Sequence, residues 1–304
     1  MKRFVCGVLA LTSMTACVVT STACETKNPT VKMTIAFNGE EYVLDYKLYR
    51  ELAPTTVKHF LYLAENNYYD GLCVHNYEEA GAKMYTGAYT YNDEKEDNES
   101  GLTYKNYYEV VAQYVQKGHA FPASVWMDKE KEQPTYTLYG EFEDNNFEVE
   151  SGSLRQTFGS LTMYYSTKNS DDGVYTQDVC NPEKLATREY KNNSATSQFY
   201  ISLSNSSTRN DDYCTFAELE EKSEETLKAF KEALEEYIEE NYEDEDGDST
   251  FTKKYTMTID EDDKFVGTKK NTTTFYVPEK QIKIVSVVVT KQLILQSKKK
   301  LSAR

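Results

Sequence analysis

Positive charge is what this chain has least of. Lys and Arg together number 34 against 50 Asp and Glu, so the 304 residues carry a formal charge of −16. A protein that grips nucleic acid through backbone phosphates needs a basic face. No long basic run precedes Lys298-Lys299-Lys300 near the C-terminus, which argues against nucleic acid as a partner. Histidine is also scarce: His59, His75 and His119 are scattered. The six Cys include no Cys-x-x-Cys pair and no metal-ligand spacing, so a zinc site is not expected. The acidic stretch Asp244 to Asp248 lacks the twelve-residue ligand pattern of a calcium loop. One disulfide among Cys73, Cys180 and Cys214 is open by count, and spacing does not choose a pair. Aromatics are not lacking. Twenty-six Tyr and 13 Phe need somewhere to pack, which argues against a disordered chain.

The first residues read as an export signal. Lys2 and Arg3 precede the apolar run Phe4 to Ala10, which is too short to span a bilayer as a stable helix. Ser13 to Cys17, SMTAC, places a small residue directly before a cysteine, in the manner of a bacterial lipoprotein cleavage box. Cys17 is then the lipidated first residue of the mature protein, with Cys24 as a second candidate and ordinary secretion after Ala23 as the alternative. Loss of residues 1–16 takes the charge to −18, so anchoring rests on the lipid and not on attraction to anionic headgroups. The expected location is the outer face of the cell membrane. Residues 17–30 read as a polar tether, 31–290 as one domain, and 291–304 as a basic tail.

Hydrophobic pattern supplies the elements. Val31 to Phe37 and Glu41 to Lys47 alternate as a hairpin about Gly39-Glu40. Pro54 suits a first helical turn and Thr can cap it; Val57, Phe60, Leu61 and Ala64 then recur at helical spacing. Leu72 to His75, Tyr136 to Phe142, Phe158 to Tyr164, Gln198 to Leu203 and Ile282 to Thr290 read as strands, and Phe216 as the end of another. Ser223 to Tyr242 is a charged helix with Leu227, Phe230, Leu234, Tyr237 and Ile238 in one stripe. Residues 90–135 (holding a short helix in KNYYEVVAQYVQKG), 165–191 and 243–272 are polar insertions. The expectation is a mostly β fold: a closed antiparallel barrel of about eight strands, capped by two helices and enlarged by loop insertions.

The ordered fragments resemble cyclophilin-type peptidyl-prolyl cis-trans isomerases, of the bacterial secreted or lipoprotein kind. Ala53-Pro54-Thr55-Thr56-Val57, Tyr69-Asp70-Gly71, Val74-His75-Asn76, Gly140-Glu141-Phe142, Arg155 to Tyr164, Ser197-Gln198-Phe199-Tyr200-Ile201, Tyr213 to Ala217 and Ile282 to Val287 follow the family's order from about 31 to 290. The resemblance implies a proline pocket and a donor for the twisted amide, with no cofactor and no metal. It places Asn76 where the family has its catalytic Arg, and Gln198 at the peptide-contacting Gln. Lys83, Met84 and Tyr200 stand at the pocket positions, Thr86 at the Gln that supports the Arg, and Tyr213 at the family's His. Asn offers a neutral hydrogen bond in place of a delocalised positive charge, whereas the Lys83 ammonium can supply charge.

Each of these residues also has a plainer role: Gln198 as a sheet hydrogen bond, Tyr200 and Met84 as core packing. Three readings of function follow. One is a foldase acting on X-Pro bonds of exported proteins, with ordinary or reduced turnover. Another is a monomeric peptide-binding or chaperone lipoprotein of the same fold that has lost turnover. The last is a structural surface lipoprotein without a peptide groove.

Overall fold

The computed structural model describes residues 23–96, 99–119, 125–142, 145, 147, 154–166, 173–177, 185–189, 194–206, 213–243, 249–263 and 267–295. Cys17, Cys180 and residues 296–304 lie outside these residues, while 291–295 of the stretch read as a basic tail end the last strand. Seventeen strands and three α-helices are described. Strand β1 (Ala23–Phe37) turns through Asn38 and Gly39 into β2 (Glu40–Leu48). Both turn residues have positive φ, at 49° and 90°, which matches the right-handed twist of a tight hairpin. Helix α1 (Pro54–Glu65) follows, then the short strands β3 (Leu72–Cys73), β4 (Asn76–Glu78), β5 (Lys83–Thr86), β6 (Tyr89–Tyr91) and β7 (Leu102–Tyr104). Helix α2 (Tyr107–Gln116) precedes β8 (Val125–Trp126), β9 (Leu138–Tyr139), β10 (Leu161–Ser166), β11 (Gly173–Gln177), β12 (Leu185–Glu189), β13 (Ser194–Ser202) and β14 (Cys214–Leu219). Helix α3 (Glu224–Tyr242) leads to β15 (Thr252–Asp263), β16 (Gly267–Pro278) and β17 (Ile282–Leu295).

The main sheet has ten strands, ordered β3-β17-β1-β2-β14-β10-β13-β5-β4 with β9 on β13. This corrects the expected closed barrel of about eight strands: the sheet is an open, curled half-barrel. Its two rims, β3 and β4, are consecutive pieces of one segment, and no ladder pairs them. A short segment cannot be its own neighbour, so the rims are joined along the chain. There Val74 donates to Ile282 O and His75 to Tyr85 O. The helical cap has three helices, since α2 packs on α1 through the rings of Tyr62 and Tyr114 and a Tyr114 hydroxyl bond to Asn66 O.

Strand β1 begins at Ala23, so much of the stretch read as tether is a bulged strand paired to the end of β17, with Ala23 opposite Leu295. The region 243–272, read only as a polar insertion, contributes the twelve-rung hairpin β15–β16. Within 165–191, β11 pairs with β12 on one side and with β8 on the other.

Alternation along the strands sends Val31, Met33, Ile35, Leu44, Tyr46, Leu161, Met163, Phe199 and Ile201 into one buried cluster with Val57, Phe60, Leu61 and Ala64 of α1. Phe230 of α3 meets the rings of Phe37 and Tyr42. Helix α1 takes its N-terminal cap from a distant residue, not from a Thr of its own first turn. Glu141 accepts from the backbone N–H of Thr55 and of Thr56, each at 2.9 Å. That carboxylate meets the positive end of the helix dipole, while burial raises its pKa. Cys73 and Cys214 are buried free thiols, and burial pushes Cys73 up to about 12.

Candidate functional site

Period-two alternation in β13 divides its side chains. Ser197, Phe199 and Ile201 face the core, and Gln198 and Tyr200 face the other way. Directly opposed residues of antiparallel strands share a face. Tyr200 opposes Tyr85, Tyr85 opposes Asn76, Tyr200 also opposes Thr162, and Thr162 opposes Thr215. Asn76, Tyr85, Tyr200, Thr162 and Thr215 therefore form one row across five strands on the outer face of the sheet. The next row holds Glu78 opposite Lys83, and Lys83 opposite Ser202.

Aromatic rings line this face. Tyr85 lies 5.1 Å from Tyr200 and 6.0 Å from Tyr164, and Tyr213 lies 6.1 Å from Tyr200. Tyr164 stays substantially exposed at 42%. The ammonium of Lys83 stands 5.3 Å from the centre of the Tyr200 ring and 3.9 Å from Glu78 Oε2. A cation over an aromatic face is attracted by the ring quadrupole. The Tyr85 hydroxyl donates to the same Glu78 oxygen at 2.9 Å. Burial, and then the negative charge of Glu78, raise the Tyr85 phenol above its ordinary range. It stays protonated and remains a donor.

Beside the row, Gln198 is hydrogen-bonded to His75. His75 is buried between the rings of Tyr89 and Phe275 at 4.8 and 5.4 Å. Burial lowers its pKa to about 3, so it is a neutral imidazole that positions Gln198. Asn76 Oδ1 accepts from the backbone N–H of Tyr276 at 2.8 Å. The side chain at the rim strand is thereby tied to the β15–β16 hairpin.

The structure gathers Asn76, Lys83, Gln198, Tyr200 and Tyr213 on or beside one face. Met84 and Thr86 lie on the reverse face. Met84 is fully buried in the core opposite Ile201, and Thr86 is buried with its hydroxyl donating to Cys73 O at 2.8 Å. Sequence reading passed over Tyr85, Glu78 and Tyr164. The alternation of Lys83-Met84-Tyr85-Thr86, once paired to Tyr200, was the signal that could have found Tyr85. His59 is a buried core residue, with Nε2 2.9 Å from Thr196 O and 3.0 Å from the Tyr107 hydroxyl. No group of three or more His, Cys, Asp or Glu with metal-binding geometry occurs among the described residues.

The family model described as cyclophilin type peptidyl-prolyl cis-trans isomerase/CLD matches residues 31–256. Among solved structures, a cyclophilin type peptidyl-prolyl cis-trans isomerase of Cryptosporidium parvum is similar at 16% identity. The match covers 87% of this chain and 98% of that one, with a TM-score of 0.40. A structure of the same Cryptosporidium protein in the presence of the dipeptide Ala-Pro is similar at 15% identity, covering 86% and 99%, with a TM-score of 0.38. No curated protein matches the chain.

Proposed function

Because the chain belongs to the cyclophilin-type peptidyl-prolyl cis-trans isomerase family, we propose that it binds proline-containing segments of exported polypeptides on the tyrosine face and turns over their X-Pro bonds. The observation that carries this reading is the convergence of Lys83, Tyr85, Gln198 and Tyr200 on one side of the β5–β13 ladder. Rotation about an X-Pro bond is opposed by about 20 kcal/mol because the amide has partial double-bond character. Twisting that bond localises the nitrogen lone pair, and a donor placed there lowers the barrier without any covalent step. In this reading Tyr85, backed by the buried ring of Tyr200, forms the flat wall for the proline ring, and Gln198 and Lys83 are the donors.

The test is cis-to-trans conversion in an Ala-Pro peptide. Lys83→Met is expected to lower kcat by roughly tenfold with KM little changed, since one transition-state donor is lost. Tyr85→Ala is expected to act mainly on KM. A wild-type rate equal to the uncatalysed one overturns the reading. A specific observation favours a second one, peptide binding without turnover: Asn76 is held through Oδ1 by the hairpin backbone and brings no positive charge to the face. Peptide binding measured without a rate increase supports that alternative.

We also propose that Cys17 carries a lipid on the outer face of the membrane. Ser13 to Cys17 supplies the sequence support, and the start of β1 at Ala23 leaves a short link between anchor and folded body. Labelling cells with a palmitate analogue should mark the wild type and not Cys17→Ala. Equal labelling of both counts against Cys17.

A further inference from the structure

A concavity of about 480 Å³ lies away from the tyrosine face, among the β1–β2 turn, β6, β15 and the segment entering β17. In a chain of charge −16, four lysines line it: Lys95, Lys253, Lys280 and Lys283. Two of them are paired, Lys253 with Glu279 at 2.8 Å and Lys283 with Asp93 at 2.5 Å. Lys95 donates to the Glu99 carbonyl at 3.0 Å and lies 3.4 Å from the Tyr255 hydroxyl, both neutral groups. Lys280 has no carboxylate partner among the described residues. The pocket thus holds two positive charges that no carboxylate compensates.

A second, independent feature is Gln281, which lines the same pocket and is only 7% exposed. Its amide nitrogen donates to Pro278 O at 2.8 Å, and its buried carbonyl oxygen has no partner. That oxygen has almost no accessible surface and meets an O–H or N–H donor in the pocket only when its side chain turns outward. Asp93 and Glu279 can also accept hydroxyl hydrogen bonds, and Tyr91 adds an aromatic wall.

We infer that this pocket binds an anionic monosaccharide, carboxylated or phosphorylated. The acidic group sits toward Lys95 and Lys280, and ring hydroxyls meet Gln281, Asp93 and Glu279. A bare anion uses the lysines and leaves the carboxylate acceptors without a donor, and an acidic peptide brings more negative charge than the two unpaired lysines balance. A neutral sugar uses the acceptors and leaves the lysines unused. The volume falls in the range of small-ligand pockets. This assignment is independent of peptide turnover, because none of the residues of the tyrosine face lines the pocket.

Calorimetric titration of the mature protein with glucuronate and with glucose 6-phosphate tests it, with glucose and inorganic phosphate as single-feature controls. At least one anionic sugar is expected to bind about tenfold or more tightly than either control, and added salt to weaken it. Glucuronate alone or glucose 6-phosphate alone identifies which acidic group the site takes. Lys280→Glu is expected to reduce affinity by about tenfold or more, and Gln281→Leu to narrow the gap between the anionic sugar and phosphate. Lys231→Glu, on the exposed surface of α3, should change nothing. The inference is overturned by any of three results: no binding at about 10 mM sugar, phosphate alone binding as tightly, or a short poly-glutamate peptide binding better.

Discussion

Replacing Phe60 by alanine is expected to destabilise the protein by about 3–5 kcal/mol. Phe60 is fully buried at the meeting point of α1 and the sheet. Its ring lies 4.9 Å from Tyr69, 5.5 Å from Phe199 and 5.1 Å from Phe216. The change removes the transfer energy of a ring and leaves a cavity between elements that are far apart in sequence, where collapse is resisted by strands paired on both sides. The loss is a large share of the roughly 5–15 kcal/mol that holds an ordinary domain together. Urea unfolding followed by circular dichroism measures it. A shift under about 1 kcal/mol at unchanged m-value would mean that the aromatic cluster does not hold α1 to the sheet. Leu234→Ala on α3 serves as a comparison, since Leu234 is equally buried but belongs to the other cap.

Acidification is expected to unfold the protein well before its carboxylates are all protonated. Burial lowers His59 to about 4 and His75 to about 3. Above the unfolded value of about 6.5, both imidazoles are neutral in either state and cost nothing. As the pH falls below 6.5, the unfolded chain takes up protons that the folded chain refuses, so stability drops. The decline continues to about pH 4 for His59 and to about pH 3 for His75. Each residue removes on the order of 3–5 kcal/mol across its window.

Glu141 acts in the opposite sense. Its folded pKa is raised, so acid relieves a cost there, but one raised carboxyl does not offset two buried imidazoles. Urea midpoints at pH 7.5, 6, 5 and 4 measure the slope. His75→Phe should flatten it whatever that substitution does to stability at neutral pH, and His59→Asn should do the same through a different part of the core. Equal slopes in all three proteins would refute the assignment.

Much of the architecture was legible because it is written in local periodicity. Val57, Phe60, Leu61 and Ala64 mark the buried face of α1, and Leu227, Phe230 and Leu234 that of α3. The strands centred on residues 31–37, 41–47 and 282–290 announce themselves by alternation and branching, and the structure lengthens them at their ends. The hairpin β15–β16 was not legible. Its sequence is polar, and its apolar contacts, such as Phe275 against His75 and Tyr89, are made with strands nearly 200 residues earlier. The cap of α1 by Glu141 was hidden for the same reason, since 85 residues separate Glu141 from Thr56.

The sequence by itself determined the family: the order of Ala53-Pro54-Thr55-Thr56-Val57, Tyr69-Asp70-Gly71 and Ser197-Gln198-Phe199-Tyr200-Ile201 survives insertion and substitution around it. It also determined the acidic balance. Tertiary structure alone decided which side of the sheet each candidate serves. Lys83 and Met84 are neighbours in the chain, yet a strand turns successive side chains through about 180°, and only the pairing of β5 with β13 shows that Lys83 and Tyr85 stand beside Tyr200 while Met84 and Thr86 pack beneath it. Closure was decided in the same way. Whether a row of strands meets itself depends on which edges find hydrogen-bond partners, and here β3 and β4 belong to one short segment whose two ends look in opposite directions along the sheet order.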